Sequence, residues 1–303
     1  MRRFRRSTIT ALALASLAGA VTATPARAMT WQQRAVLYAP LLVLHRDEPF
    51  RPSTVQWALD RSVLKFSRDN QVDVRLAGRP NATQLGDKGP STYGYVHNGR
   101  AYRASDCTRP RDGGCARNGL KPNEGFFLDV DDSAHGGPKS GSREIYYQYG
   151  PSKEGGTFLT YWFYSPYDEF RWKQVQAHEG DWERLVIRFD TSGAPAAVAY
   201  HHHDCYSRYA WGAVPKTGTH PIAYVAKSSH GVWTGKGGNC HGGMPFDVTD
   251  LGGPRWQTWT GSVAWVRDRG FYGFGGAWGS VGTMDMTTGP MGPSQYKNYS
   301  APF

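Results

Sequence analysis

The sequence predicts an all-β protein: a β-sandwich with short peripheral helices and long irregular loops. Three observations carry this expectation. Gly and Pro are frequent, 37 and 19 of 303 residues, so turn formers break the chain throughout. The chain is rich in Trp and Tyr and poor in Leu, a composition that suits pleated, half-buried surfaces. No window sustains the spacing of a long amphipathic helix, which favours many short strands joined by turns.

The first 28 residues read as a signal peptide. Arg2, Arg3, Arg5 and Arg6 form a basic start, residues 9–21 an apolar stretch, and Ala26-Arg27-Ala28 a small-x-small cleavage site. The paired arginines raise a twin-arginine route, although the residues after them fit that motif poorly. The apolar stretch is too short to span a bilayer, and no later segment is long and apolar enough. The expectation is a secreted protein with no transmembrane segment, whose residues 29–303 form one β-sandwich domain. Two short helices are expected near its start. Thr30 with Gln33 makes a capping-box pattern before Ala35-Val36-Leu37, and Ser53 with Gln56 repeats it before Trp57-Ala58-Leu59. Pro40 limits the first. Residues from about 79 to 143 are polar and Gly/Pro-rich and read as an irregular insertion. The strongest strand signals follow, at 144–149, 158–164, 182–189, 196–202, 222–226 and 262–266. There is no internal repeat. The Gly/Met/Pro-rich tail from Gly273 is expected to wrap the surface.

The formal net charge is +10, with Lys+Arg 35 and Asp+Glu 25. Residues 1–28 hold five arginines and no acid, so the mature chain carries +5. That mild excess, with no basic run interleaved with aromatics, argues against a nucleic-acid partner. The four cysteines, Cys107, Cys115, Cys205 and Cys240, are an even count in an exported chain, which favours two disulfides. Three pairings exist; Cys107–Cys115 and Cys205–Cys240 are the favoured ones. A Cys-based zinc site is weaker, since no C-x-x-C pair occurs.

The most informative stretch is His178-Glu179-Gly180-Asp181-Trp182-Glu183, followed by the strand-like run Arg184–Phe189. Strand side chains alternate faces, so Asp181 and Glu183 share the inward face of Leu185, Ile187 and Phe189, while Arg184 and Arg188 point the other way. A buried carboxylate is costly unless paired or metal-bound. Asp168, ending an aromatic strand, and His178 complete a set of three carboxylates and one imidazole. Oxygen-rich ligation with one imidazole suits Ca²⁺, Mg²⁺ or Mn²⁺. The competing reading is an ion-free carboxylate–histidine–arginine network that anchors a loop.

Other constellations are weaker. His201-His202-His203 offers an H-x-H pair on one strand face, or simply a polar strand end. Ser228-Ser229-His230-Gly231-Val232-Trp233 places Ser beside His without a nucleophile elbow, so a loop contact to a ligand is favoured over hydrolysis. Asp129-Val130-Asp131-Asp132 starts like a calcium loop but lacks its later Gly and Glu, and reads as a solvated acidic turn. His45 and Glu48 form a pair of uncertain role. Trp162, Trp182 and Tyr161 are expected in the core; Trp211 and Trp233 in Gly-rich loops are candidates to stack on a sugar or meet a lipid interface.

Three segments resemble the vacuolar protein sorting-associated protein 62 family: Tyr38-Ala39-Pro40 through His45-Arg46-Asp47-Glu48 to Pro52-Ser53; His178 to Glu183 with the strand after it and Tyr200 to His203; and His220-Pro221-Ile222-Ala223-Tyr224 to Ser229-His230-Gly231. The family's Gly-Ser-His-Ala reads Ser228-Ser229-His230-Gly231 here. The central segment is also similar to the necrosis- and ethylene-inducing-peptide-like toxins. Their Gly-His-Arg-His-Asp-Trp-Glu aligns with Ala177-His178-Glu179-Gly180-Asp181-Trp182-Glu183, and a Tyr/Pro/Asp segment matches Tyr164 to Asp168. The first Gly and the second His of that heptapeptide are absent. The toxin resemblance implies a β-sandwich whose metal residues fall on His178, Asp181 and Glu183, near a site for a membrane glycolipid headgroup.

The expected protein is therefore secreted and non-catalytic, toxin-like, binding a divalent cation at Asp168, His178, Asp181 and Glu183 and a polar glycan or lipid headgroup with help from His203, His230 and Trp233. The rivals are a metal-dependent hydrolase, with Glu179 or His230 as base, and an interaction module without metal.

Overall fold

The strand signals at 158–164 and 182–189 mature into the two longest strands of the molecule, paired antiparallel from Thr157↔Phe189 to Asp168↔His178. The computed structural model describes residues 29–111, 119–140, 143–169, 177–203, 205–239, 247–296 and 302–303. The expected signal peptide, residues 1–28, lies outside them, as do Cys115 and Cys240. Cys107 and Cys205 are disulfide-bonded, and their pairing to Cys115 and Cys240 remains an expectation.

Strands are numbered in chain order. The central sheet runs β11 (Cys205–Ala210), β10 (Pro195–His202), β9 (His178–Phe189), β8 (Thr157–Asp168), β7 (Glu144–Pro151) and β16 (Ser262–Trp265), antiparallel except where β16 lies parallel to β7. One face packs on a second sheet, β12 (Lys216–Thr217), β13 (His220–Val225), β1 (Leu41–Val43) and β15 (Arg255–Gln257), with β14 (Val232–Trp233) added on β13. The core between these sheets takes Leu159, Tyr161 and Phe163 from β8 and Leu185, Ile187 and Phe189 from β9. The architecture is an all-β sandwich with short peripheral helices and long irregular loops.

The opposite face of the central sheet is also covered. A three-stranded sheet, β3 (Val74–Gly78), β2 (Ser62–Ser67) and β6 (Gly125–Val130), meets Trp162, Tyr164 and Trp182 there and builds a second core around Phe66, Phe126 and Leu128. This explains why β8 reads as a nearly unbroken apolar run: strands buried on both faces lose the polar alternation. Arg184 points, as expected, to the face opposite Leu185 and Ile187, and the second core buries it there. Its guanidinium lies over the rings of Trp162 and Tyr296, at 5.2 and 4.9 Å, contacts that offset part of its desolvation.

Two expectations change here. Residues 79–143 are not simply irregular: they contain α3 (Ala82–Gly86), the hairpin β4 (Gly94–His97) and β5 (Arg100–Arg103), and β6, and they supply core residues Leu85, Tyr102 and Phe126. Nor does the tail only wrap the surface. Its Trp278 and Phe274 fill the second core, and Ala277 pairs with Phe127. Gly punctuation hid both features, because the apolar residues are separated by loops that leave no periodicity.

The helices follow their caps. α1 (Trp31–Leu37) has the full Thr30–Gln33 capping box and stops three residues short of Pro40. α2 (Val55–Leu59) is capped by Thr54, which accepts from the Trp57 N–H at 3.1 Å, rather than by Ser53. Ser53 instead pairs through its backbone with Tyr164. Among the described residues, no helix is long and apolar enough to cross a membrane.

Candidate cation site and its surroundings

The paired ends of β8 and β9 carry Asp168 and Asp181. Two loops close over them. One, His45–Phe50, leads out of β1; the other is the Ala226–Gly231 turn between β13 and β14, which is closed by the Ala226 N–H to Gly231 carbonyl bond of 2.9 Å. The turn presses His230 inward. Its Nδ1 lies 2.8 Å from Asp181 Oδ2 and its Nε2 2.8 Å from the Phe50 carbonyl. Glu48 Oε1 is 3.5 Å from the same Nε2, while Oε2 accepts from the Ser228 N–H at 2.8 Å. Asp168, Asp181, Glu183 and His230 are 2%, 7%, 3% and 0% exposed, so the charges are effectively out of water.

The ligand atoms of Asp168, Asp181 and His230 all lie within 4.8 Å of one another. Asp168 Oδ1 is buried with no hydrogen-bond donor. An orphaned buried carboxylate oxygen is expensive, and burial, the largest cause, pushes the Asp168 pKa up to about 6. Burial, then the Asp181 charge, also raises Glu183 well above the ordinary glutamate value. Burial alone would lower His230; the Glu48 charge and the bonds to Asp181 and Glu48 more than reverse it, and its pKa is raised well above that of free imidazole.

These residues fit a divalent cation. With Nε2–H fixed on the Phe50 carbonyl, the neutral tautomer turns the Nδ1 lone pair toward the two aspartates, as in metal-bound histidines whose second nitrogen donates to a carbonyl. Two of the four sequence-predicted ligands, Asp168 and Asp181, are brought together. His178 and Glu183 lie beside them but outside the close trio. His178 pairs across the strands with Asp168, and its Nδ1 is 2.8 Å from the Gly180 carbonyl. His230, expected as a ligand-loop contact, takes the imidazole position. Glu48 was legible only as half of an uncertain pair. Nothing local in the sequence announces that residue 48 meets residue 230, or that residue 230 meets residue 181.

The rim is a second acidic–imidazole group. Asp247 accepts from Ser229 Oγ at 2.5 Å and from Trp233 Nε1 at 2.8 Å, and lies 3.6 Å from His203 Nε2. Burial opposes the charge on His203, but the Asp247 bond and charge prevail and carry its pKa up to about 10. Of the two readings of His201-His202-His203, the strand end is what the backbone shows, since β10 stops at His202. His203 leaves the strand with a φ of 58°, and His202 stacks on Trp233 at 3.9 Å. Ser229 donates to Asp247 rather than to His230, so the neighbouring Ser229 and His230 do not form the Ser-His pair that nucleophilic catalysis needs. Glu179, considered as a base, is turned away: its Oε2 accepts from the Val130 N–H at 2.9 Å on the far side of β9.

Gly180 causes that reversal. Its φ is 66°, and a Cβ there would lie 1.7 Å from the Trp278 carbonyl oxygen. The position aligned with the second His of the toxin heptapeptide therefore has no room for any side chain in this molecule.

No family model matches this chain, and no curated protein matches it. Two solved structures are similar at low level. One is necrosis and ethylene inducing protein 2 from the causal agent of cocoa's witches' broom disease, at 15% identity and TM-score 0.30, covering 63% of this chain and 60% of that one. The other is described as a toxin fold that is a basis for microbial attack and plant defence, at 16% identity and TM-score 0.32, covering 67% and 68%. The chain thus spans about three fifths of the first neighbour's length.

Proposed function

We propose that this is an exported, non-catalytic protein that binds a divalent cation (Ca²⁺, Mg²⁺ or Mn²⁺). Asp168, Asp181 and His230 would hold the ion, with His178 and Glu183 beside them. The observation that carries the reading is Asp168 Oδ1, buried without a donor and facing a second carboxylate and an imidazole. A bound cation would supply the charge these oxygens lack and an attachment point for polar oxygens. A glycan or lipid headgroup attached to the ion would meet His203 and Trp233, both of which contact Asp247 beside the site. A toxin-like role belongs to the same proposal and rests on the His178–Glu183 motif.

One observation favours an ion-free network instead. Both His230 nitrogens already face acceptors, so an imidazolium would satisfy Asp181 and the Phe50 carbonyl without metal. Asp168→Asn separates the readings. If the site holds an ion, the variant loses metal by elemental analysis and loses the thermal shift that Ca²⁺, Mg²⁺ or Mn²⁺ gives the wild type. In chelator its Tm equals or exceeds wild type, because a costly buried charge is gone. A wild type without metal and without any thermal shift would reject the cation. Glycan and headgroup arrays with and without chelator then test the partner. Cation-dependent turnover of esters, phosphodiesters or glycosides would replace the binder with a hydrolase.

A further inference from the structure

We propose that His135, Glu179 and Asp132 form a second cation site, of the zinc class, on the opposite side of β9 from Asp168, Asp181 and His230. The left-handed turn at Gly180 sends Glu179 to that side, where one of its oxygens is already committed. Oε2 accepts from the Val130 N–H, the Ser280 N–H and the Ser280 hydroxyl, at 2.9, 3.1 and 2.9 Å. Oε1 is left facing His135. The imidazole is oriented by stacking on Tyr167, with ring centroids 4.1 Å apart and planes 14° apart. Asp132 opens the single 3-10 turn Asp132–Ala134 and reaches the same nitrogen from three residues earlier.

The distances identify what is missing. His135 Nε2 lies 3.7 Å from Glu179 Oε1 and 3.8 Å from Asp132 Oδ1. Both exceed hydrogen-bond range. Yet Nε2 is shielded from solvent and has no hydrogen-bond partner. Two ligands bound at about 2.0–2.2 Å to one ion stand roughly 3.3–3.8 Å apart at tetrahedral to trigonal angles. The two separations from His135 Nε2 match that spacing, and all three ligand atoms lie within 4.8 Å of one another. One imidazole nitrogen with two carboxylate oxygens suits Zn²⁺. The Asp132 side chain is 99% exposed, so a fourth position opens to water. Bound there, the ion would fasten the 132–135 turn to β9.

The test titrates chelator-treated full-length protein with Zn²⁺ by calorimetry. Wild type is expected to bind one Zn²⁺ equivalent that Asp168→Asn retains, while Asp132→Asn and His135→Gln weaken it by about tenfold or more. Asp132 is exposed, so its variant decides the matter even if His135→Gln proves unstable. Zn²⁺ affinity unchanged by Asp132→Asn, loss of all Zn²⁺ binding in Asp168→Asn, or no Zn²⁺ binding by wild type would overturn the second site. Because Ca²⁺ or Mg²⁺ binding at the first site is read separately, either site can fail alone.

Discussion

At the scale of single residues, the site is defined by groups held in conformations they do not prefer. Ser228 and His230 flank Ser229 with φ of 66° and 54°, the left-handed region that costs non-glycine residues about 1–2 kcal/mol. His230 is compensated by its bonds to Asp181 and Phe50. Ser228 is compensated less: its backbone N–H donates to Glu48, but its hydroxyl is buried without a partner. Ser228→Gly should therefore stabilise the protein by about 1 kcal/mol, offset in part by the added freedom of the unfolded chain. Denaturant unfolding with unchanged slope would check it, and a loss of stability would mean that the hydroxyl does something the strain argument omits. The same residues mark the limit of sequence reading. Asp168 and Asp181 were legible because strand alternation and the cost of buried charge act locally. His230 was not assigned to the trio, nor Glu48 to its side, since their place depends on two loops that converge from 45–50 and 226–231.

At the scale of elements, β9 controls both candidate sites through one glycine. Alternation before and after Gly180 would put Glu179 and Asp181 on one face. The left-handed residue between them puts Glu179 with Val130 and Ser280, and Asp181 with His230. A methyl at Gly180 would meet the Trp278 carbonyl oxygen and hold a disfavoured φ at once. Gly180→Ala should cost about 3 kcal/mol or more. It should also weaken cation binding measured by thermal shift, since either strand end must move. A variant as stable as wild type would mean that the tail around Trp278 yields freely. The strands were readable from the sequence where aromatic, β-branched and other apolar residues cluster between Gly and Pro breaks. β2, β3 and β6 were missed because they lie among polar, Gly-rich segments and gain their burial from the central sheet, a tertiary effect no local pattern carries.

At the scale of the whole molecule, three stacked sheets seal a cluster of charges in which four groups pull stability one way and two the other. Asp168, raised to about 6 by burial, holds its proton more tightly folded than unfolded. Its contribution is full below the ordinary value of 3.8 and is lost as pH rises through 6. Glu183, raised by burial and by Asp181, acts in the same sense from 4.5 upward. His203 and His230 are raised as well. Theirs is full below 6.5 and is lost as pH rises, through about 10 for His203. Glu48 and Asp247 oppose this. Burial favours their neutral forms, but His230 and His203 respectively hold them below 4.5 and 3.8, so their contribution disappears only as pH falls below those values. The ion-free protein should accordingly be most stable under mildly acidic conditions and lose stability steadily toward pH 10. A divalent cation bound to ionised Asp168 and Asp181 reverses the acid preference, since ligand binding to the folded state adds about 2.7 kcal/mol at a hundredfold excess over Kd and requires those carboxylates deprotonated. Melting curves with chelator and with Mg²⁺ or Mn²⁺ should coincide near pH 4 and separate progressively toward pH 8. A constant gap, or an ion-free protein that gains stability between pH 5 and 8, would show that the buried carboxylates are already satisfied without an ion.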